Sequence, residues 1–288
     1  MSNITMSRVT PAASEKRHAL LAAASEAAGQ GNALVLSAGG LFTAYQAGVY
    51  KALWPYWKPD LVVGASAGAL NAWLIAARIE PDELIELWFH PDSAAAIKIR
   101  ERPSLRRGYF DPDPLLDRAR QIHKRYERKL PLGVVSVEFP RLRPRVFRDE
   151  EITPEHLLAS CSIPLLYPSV CIGRQRLLDG GLLESTPLWA AATMGASRIL
   201  AVNALTNVTP WPIRLLLRGI HGFRKIPVTG VSDVSVLRPS GAMGSAREAI
   251  VWDEGNIRRW VEMGIRDGEQ FLTTRGLSSS WGETQSTG

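Results

Sequence analysis

Short apolar runs alternate along this chain with longer stretches of helical spacing. Residues 33–37 (ALVLS) form the first run, bounded by glycines, which is the signal of a buried strand. Gly39-Gly40 follows at once, and residues 41–54 carry apolar positions at helical spacing. A second run, 61–63, enters Gly64-Ala65-Ser66-Ala67-Gly68 and then an apolar helix over 69–77. Two strand–turn–helix units in succession predict a parallel sheet covered by helices. The same reading predicts strands at 134–139, 176–178, 198–202 and 234–237, and helices at 154–162, 187–194 and 257–272. Residues 91–130 and 206–229 fit the alternation poorly. Long insertions at the carboxyl edge of a parallel sheet are where lids and substrate pockets sit.

Composition narrows this picture without redirecting it. The 288 residues are 45% hydrophobic and 22% charged, enough for one large α/β domain with a buried core. Two cysteines, Cys161 and Cys171, make no disulfide framework and suggest a reducing compartment. No run is long enough to span a bilayer, and the alanine-rich N-terminal stretch lacks the compact apolar segment of a signal peptide. A cytoplasmic protein is expected. Residues 1–31 are expected to be an extension, partly helical or disordered, residues 32–275 the domain, and residues 276–288 a disordered tail.

Charge is uneven. Between Lys98 and Arg148 fifteen basic residues stand against six acidic ones, whereas the whole chain carries only +6. Such a block suits an acidic partner surface, either nucleic acid or anionic lipid, or simply a solvated face. In 211–225 (WPIRLLLRGIHGFRK) apolar and basic residues interleave, as in a segment lying in a membrane interface or packing its leucines inward.

The candidate chemistry gathers at three glycine-flanked turns. A G-x-S-x-G pentapeptide is weak alone, but here it joins an apolar strand to an apolar helix. That context presents the Ser66 hydroxyl on a tight turn, with Gly64 and Gly68 letting strand and helix approach. The Ala67 N–H, at the helix start, is aimed where an oxyanion would form. A serine hydroxyl needs a base. Asp179 ends an apolar strand and precedes Gly180-Gly181, on the sheet edge expected for Ser66; partial burial would raise its pKa toward the useful range. A turn-capping role is its bland alternative. Gly39 and Gly40, after the first strand, can aim two N–H groups at one point.

The order of these motifs resembles the patatin-like phospholipases. Residues 160–168 (SCSIPLLYP) look like that family's A-S-x-x-I-P-x-x-F-P segment, and 178–187 (LDGGLLESTP) resemble its D-G-G-x-x-x-N-x-P segment. The resemblance implies a three-layer α/β/α sandwich with a mostly parallel sheet. It also implies a Ser66–Asp179 dyad that cleaves acyl esters of lipids through an acyl-serine, with no histidine, metal or other cofactor. Gly39, Gly40 and Ala67 would hold the oxyanion. The expected partners are then a lipid or acyl-ester substrate and, peripherally, an anionic membrane on its inner surface; nucleic acid is not expected.

The chain departs from the family pattern in the first loop. Where the family has G-G-G-x-R-G, this chain has Ala38-Gly39-Gly40-Leu41-Phe42-Thr43. Either Phe42 leaves the oxyanion site short of a positive charge, or it has become a wall of the acyl pocket. Two other readings stay open: an α/β-hydrolase triad of Ser66, Asp179 and His221, and a lipid-binding homologue that has lost catalytic power.

Overall fold

The computed structural model describes residues 31–104, 107–205 and 226–275. At its centre is an eight-stranded sheet of order β10-β9-β1-β2-β5-β8-β7, with β6 paired to β5 off this path. The strands are β1 (Asn32–Leu36), β2 (Leu61–Ala65), β5 (Leu132–Phe139), β6 (Arg143–Arg148), β7 (Val170–Ile172), β8 (Gln175–Leu178), β9 (Arg198–Val202) and β10 (Asp233–Leu237). β10, β9, β1, β2 and β5 run parallel, and β6, β8 and β7 join antiparallel. A two-stranded antiparallel hairpin, β3 (Lys98–Ser104) and β4 (Gly108–Asp111), stands apart from the sheet.

The apolar runs are continuous because both faces of the parallel strands are buried. Leu34, Leu36, Val62, Val134, Leu200 and Val202 point to one face, into the larger cluster. Ala33, Val35, Val63, Val135, Ile199 and Ala201 point to the other. The first face is covered by helices α1 (Ala44–Leu53), α2 (Ala67–Ala76), α3 (Pro81–Phe89), α5 (Pro112–Arg125), α6 (Pro154–Ser160) and α8 (Glu254–Arg275), with the short α4 (Pro91–Ala95) at its margin. On the second face Trp189, Ala190 and Ala191 of α7 (Leu188–Thr193) pack against the strands. This is the expected α/β/α arrangement. None of the described helices is long and apolar enough to cross a membrane.

The stretch 91–130 contains α4, the hairpin and α5. Helix α5 opens with Pro112 at its first turn and the Asp111 carboxylate accepting from the Asp113 N–H at 3.4 Å. The segment 211–225 and His221, like the N-terminal extension and the C-terminal tail, lie outside the described residues.

Candidate active site

The register of β5 builds the site. On one edge of β5, β2 pairs along Leu132–Val135, so that Ala65 lies opposite Val135. β6 occupies the other edge from Gly133 to Glu138. β8, which pairs with Val137–Phe139, must therefore lie on the same edge as β2, continuing its lane from the opposite direction. β2 ends at Ala65 and β8 ends at Leu178, opposite Val137. The next residue of each strand, Ser66 and Asp179, enters the gap beside Ser136. The antiparallel entry of β8 is thus what carries a carboxylate to the carboxyl end of a parallel strand.

Ser66 sits between β2 and α2 with φ 56° and ψ −138°, a backbone region that side-chain-bearing residues rarely occupy. The tight turn needs Gly68, because a Cβ there would lie 2.3 Å from the Ser37 carbonyl oxygen. Ser66 is 3% exposed and Asp179 4%. Asp179 Oδ1 accepts from the Gly181 N–H at 2.7 Å. Its Oδ2 is buried and has no hydrogen bond of ordinary geometry among the described residues. The Asp179 carboxyl pKa is pushed up to about 7 from 3.8; burial raises it, while the nearby Ser66 hydroxyl and the Gly181 amide hold it down. Gly180 is required by a close approach: a Cβ there would be 2.0 Å from the Val135 carbonyl oxygen.

One side chain ties both strand ends together. The Ser66 N–H donates to Ser160 Oγ at 2.9 Å, and that hydroxyl donates to the Val135 carbonyl at 2.6 Å. The Ser160 carbonyl accepts from Gly180 N–H and the Ser162 carbonyl from Asp179 N–H, each at 3.0 Å. In the sequence Ser160 stands out only as part of a motif; its side-chain role depends on a contact ninety-four residues away in sequence. Ser160→Ala leaves a buried donor and a buried acceptor unsatisfied, and we expect it to lower stability by about 2–4 kcal/mol in equilibrium denaturant unfolding. A change below about 0.5 kcal/mol, the range of an ordinary surface substitution, would contradict this role.

The first loop is held from behind by a polar chain. Gln46 Nε2 donates to the Ser37 carbonyl at 2.9 Å, Asn71 Nδ2 donates to the Thr43 carbonyl at 2.9 Å and to Gln46 Oε1 at 3.0 Å, and Trp88 Nε1 donates to Asn71 Oδ1 at 3.2 Å. Thr43, in place of the family glycine, donates its hydroxyl to the Gly40 carbonyl at 2.7 Å. Ala38 packs against Gly181. The N–H groups of Gly39, Gly40 and Ala67 take no part in the hydrogen bonds among the described residues. Gly40 and Ala67 line a cavity together with Ser66, whereas Gly39 is buried behind them.

Phe42 is not a wall of the acyl pocket. It is fully buried, stands edge-on to Trp260 at 4.9 Å between ring centroids, and is not among the residues lining the cavity. An arginine at this position would point into the core.

The cavity runs from Ser66 between apolar side chains, among them Leu70, Leu74, Leu87, Phe110, Leu115 and Ile163. Such a lining suits an alkyl chain. Cys161 also borders it, but burial pushes its thiol well above the ordinary pKa, so it is a poor nucleophile. The three described histidines are engaged elsewhere. His156 is buried, with its Nδ1 accepting from the Thr153 N–H at 3.2 Å. His123 stacks on Trp73 at 4.5 Å, and His90 caps α4 through its bond to the Asp92 N–H.

The chain belongs to the patatin-like phospholipase family, whose sequence model matches residues 34–192. The family is one of lipid hydrolases. Among solved structures it is similar to VipD from Legionella pneumophila, with TM-score 0.48 and 12% identity over 85% of this chain and 67% of that one. It is also similar to the type III effector protein ExoU, with TM-score 0.44 and 14% identity over 85% of this chain. The match spans about half of the ExoU chain, 53%. No curated protein is significantly similar in sequence.

Proposed function

We propose that the protein is a serine acyl-ester hydrolase of the phospholipase A, lysophospholipase or esterase type, working through a Ser66–Asp179 dyad. The observation that carries this reading is the meeting of the two residues beside Ser136: a serine on a strained strand–helix turn, and a buried carboxylate with one oxygen free of ordinary hydrogen bonds among the described residues. The Ser66 hydroxyl oxygen attacks the ester carbonyl while its proton passes to Asp179. The N–H groups of Gly40 and Ala67, which line the cavity with Ser66, receive the charge that develops on the carbonyl oxygen. As the tetrahedral adduct collapses, the proton moves from Asp179 to the departing alkoxide. A water then gives its proton to Asp179 and attacks the acyl-serine, and the acid leaves as Ser66 recovers its proton. A base with a pKa of about 7 is matched to this work near neutral pH. Hydrolysis of p-nitrophenyl esters of graded chain length, lost in Ser66→Ala, tests the reading; absence of turnover on every ester would contradict it.

We also propose that the protein works in the cytoplasm and docks on anionic membrane. Many arginines of the basic block are paired internally: Arg128 with Asp149 at 2.9 Å and Glu150 at 2.7 Å, Arg120 with Asp117 at 3.1 Å, and Arg141 with Glu138 at 3.7 Å. The β3–β4 hairpin fits the docking role better. It carries exposed Lys98, Arg102 and Arg107 beside exposed Ile99 and Tyr109, and Leu165 stands next to Tyr109. Cations at the headgroups with apolar tips below them are the chemistry of an interfacial anchor. Co-sedimentation with phosphatidylglycerol vesicles is expected at low salt, weakening at high salt and in Ile99→Glu. Equal binding to phosphatidylcholine vesicles, indifferent to salt, would overturn it.

A further inference from the structure

A second cavity adjoins the one at Ser66, and helix α5 is the wall between them. Leu115, Arg118 and Ile122 are spaced three and four residues apart, on one face of that helix. Leu115 and Ile122 line the apolar cavity that begins at Ser66. Arg118 and Ile122 line both cavities, together with Leu87 of α3. The second cavity differs sharply in chemistry: His90, Gln121, Lys124, Arg125 and Tyr126 border it, with Asp92 its one carboxylate among the described residues. Arg118 therefore stands where an apolar channel meets a basic chamber.

The Arg118 guanidinium is poorly satisfied by the protein. Its one hydrogen bond among the described residues is from Nη2 to Ser93 Oγ at 3.3 Å, and it forms no ion pair there. A guanidinium offers five N–H donors, so most of this one's capacity is unused. Burial lowers its pKa, the mark of a cation removed from water, with Asp92 near enough to offset part of that effect. Other arginines in this region have carboxylates at contact, as Arg128 and Arg120 do. A half-buried, unpaired guanidinium beside an apolar channel is a receptor for an anion, since a phosphate or carboxylate can take two parallel N–H bonds from its fork.

We propose that Arg118 is an anion-binding subsite, and that the preferred substrate is an amphiphilic ester carrying a phosphate or carboxylate separated from the ester by an apolar spacer. The inference rests on the Ser66 reading for the position of the ester. The apolar channel takes the alkyl part, the ester lies at Ser66, and the charged group reaches Arg118 with Lys124 and Arg125 behind it. The anion can belong to the acyl side, as in a dicarboxylic monoester, or to the alcohol side, as in an ester of an alkanol whose far end carries a phosphate.

Two matched pairs of substrates distinguish these sources. Mono-p-nitrophenyl suberate against p-nitrophenyl octanoate places the charge on the acyl side. The butyrate ester of 8-phosphooctanol against octyl butyrate places it on the alcohol side. The native protein is expected to favour the anionic member of at least one pair by tenfold or more in kcat/KM, and Arg118→Gln to abolish that preference while Arg118→Lys restores part of it. Trp88 borders the cavity and reports binding without turnover. In Ser66→Ala, monomethyl suberate and the butyrate ester of 8-phosphooctanol are titrated against tryptophan fluorescence, and at least one of them should bind at least tenfold more weakly when Arg118→Gln is added. If the esters are not hydrolysed at all, the Ser66 reading fails and this titration alone decides the subsite. Equal preference within both pairs, a preference retained in Arg118→Gln, or, where no ester is hydrolysed, a titration indifferent to Arg118→Gln overturns the proposal.

Discussion

Asp179→Asn is expected to lower ester turnover by several orders of magnitude and, at the same time, to make the protein more stable at pH 8. The first effect follows from the proposed role: an amide of nearly the same shape cannot accept the Ser66 proton. The second follows from where the carboxylate sits. Burial raises its pKa from 3.8 to about 7, so the folded protein binds this proton more tightly than the unfolded chain does. A carboxyl raised in this way contributes no instability below about pH 4, where it is protonated in both states. The instability grows as pH rises toward 7 and is complete above it, the reverse of a salt-bridged aspartate. Replacing the carboxylate should therefore gain on the order of 2–4 kcal/mol at pH 8 and almost nothing at pH 4. Denaturant unfolding of both proteins at the two pH values measures the difference. A variant less stable than the native protein at pH 8 would contradict the buried, poorly solvated carboxylate, and a variant with near-normal turnover would contradict its role as base. The native enzyme should also show kcat/KM rising with pH up to about 7 and levelling above it.

Much of the fold was legible because the parallel strands are buried on both faces. Residues 33–36, 61–63 and 199–202 are apolar without interruption, and each stretch lies within a strand of the sheet. The order of glycine turns likewise pointed to the residues that lie together in the structure. What stayed hidden was polar or set by register. β6 alternates arginines with Pro144 and Val146 on an edge, and β3 is exposed along nearly its whole length, so neither carries an apolar run. That β8 should continue the lane of β2 depends on β5 being eight residues long, longer than the β2 it pairs with, which no local pattern reveals. Gln46 and Asn71 support the first loop from helix positions that read as ordinary polar residues. Phe42 shows the limit of reasoning from a motif: the position that carries arginine in the family faces the core here.

Ser66→Ala carries the largest expected effect, a loss of turnover to background. Removing the hydroxyl removes the atom that bonds to the acyl group, and the buried Cys161 thiol is no substitute. The backbone of the turn has little reason to change, because the Ser66 N–H still donates to Ser160 and Gly68 still permits the close approach of helix to strand. The fold of the variant, followed by circular dichroism, should match that of the native protein.

The most direct measurement is the site of covalent capture. A fluorophosphonate loses fluoride to an attacking hydroxyl and leaves a phosphonyl group on its oxygen, so peptide mass mapping names the nucleophile. The dyad predicts one adduct, on Ser66, formed faster as pH rises through 7, strongly slowed in Asp179→Asn and absent in Ser66→Ala. An adduct on another serine, or labelling of Ser66 at an undiminished rate in Asp179→Asn, would contradict it.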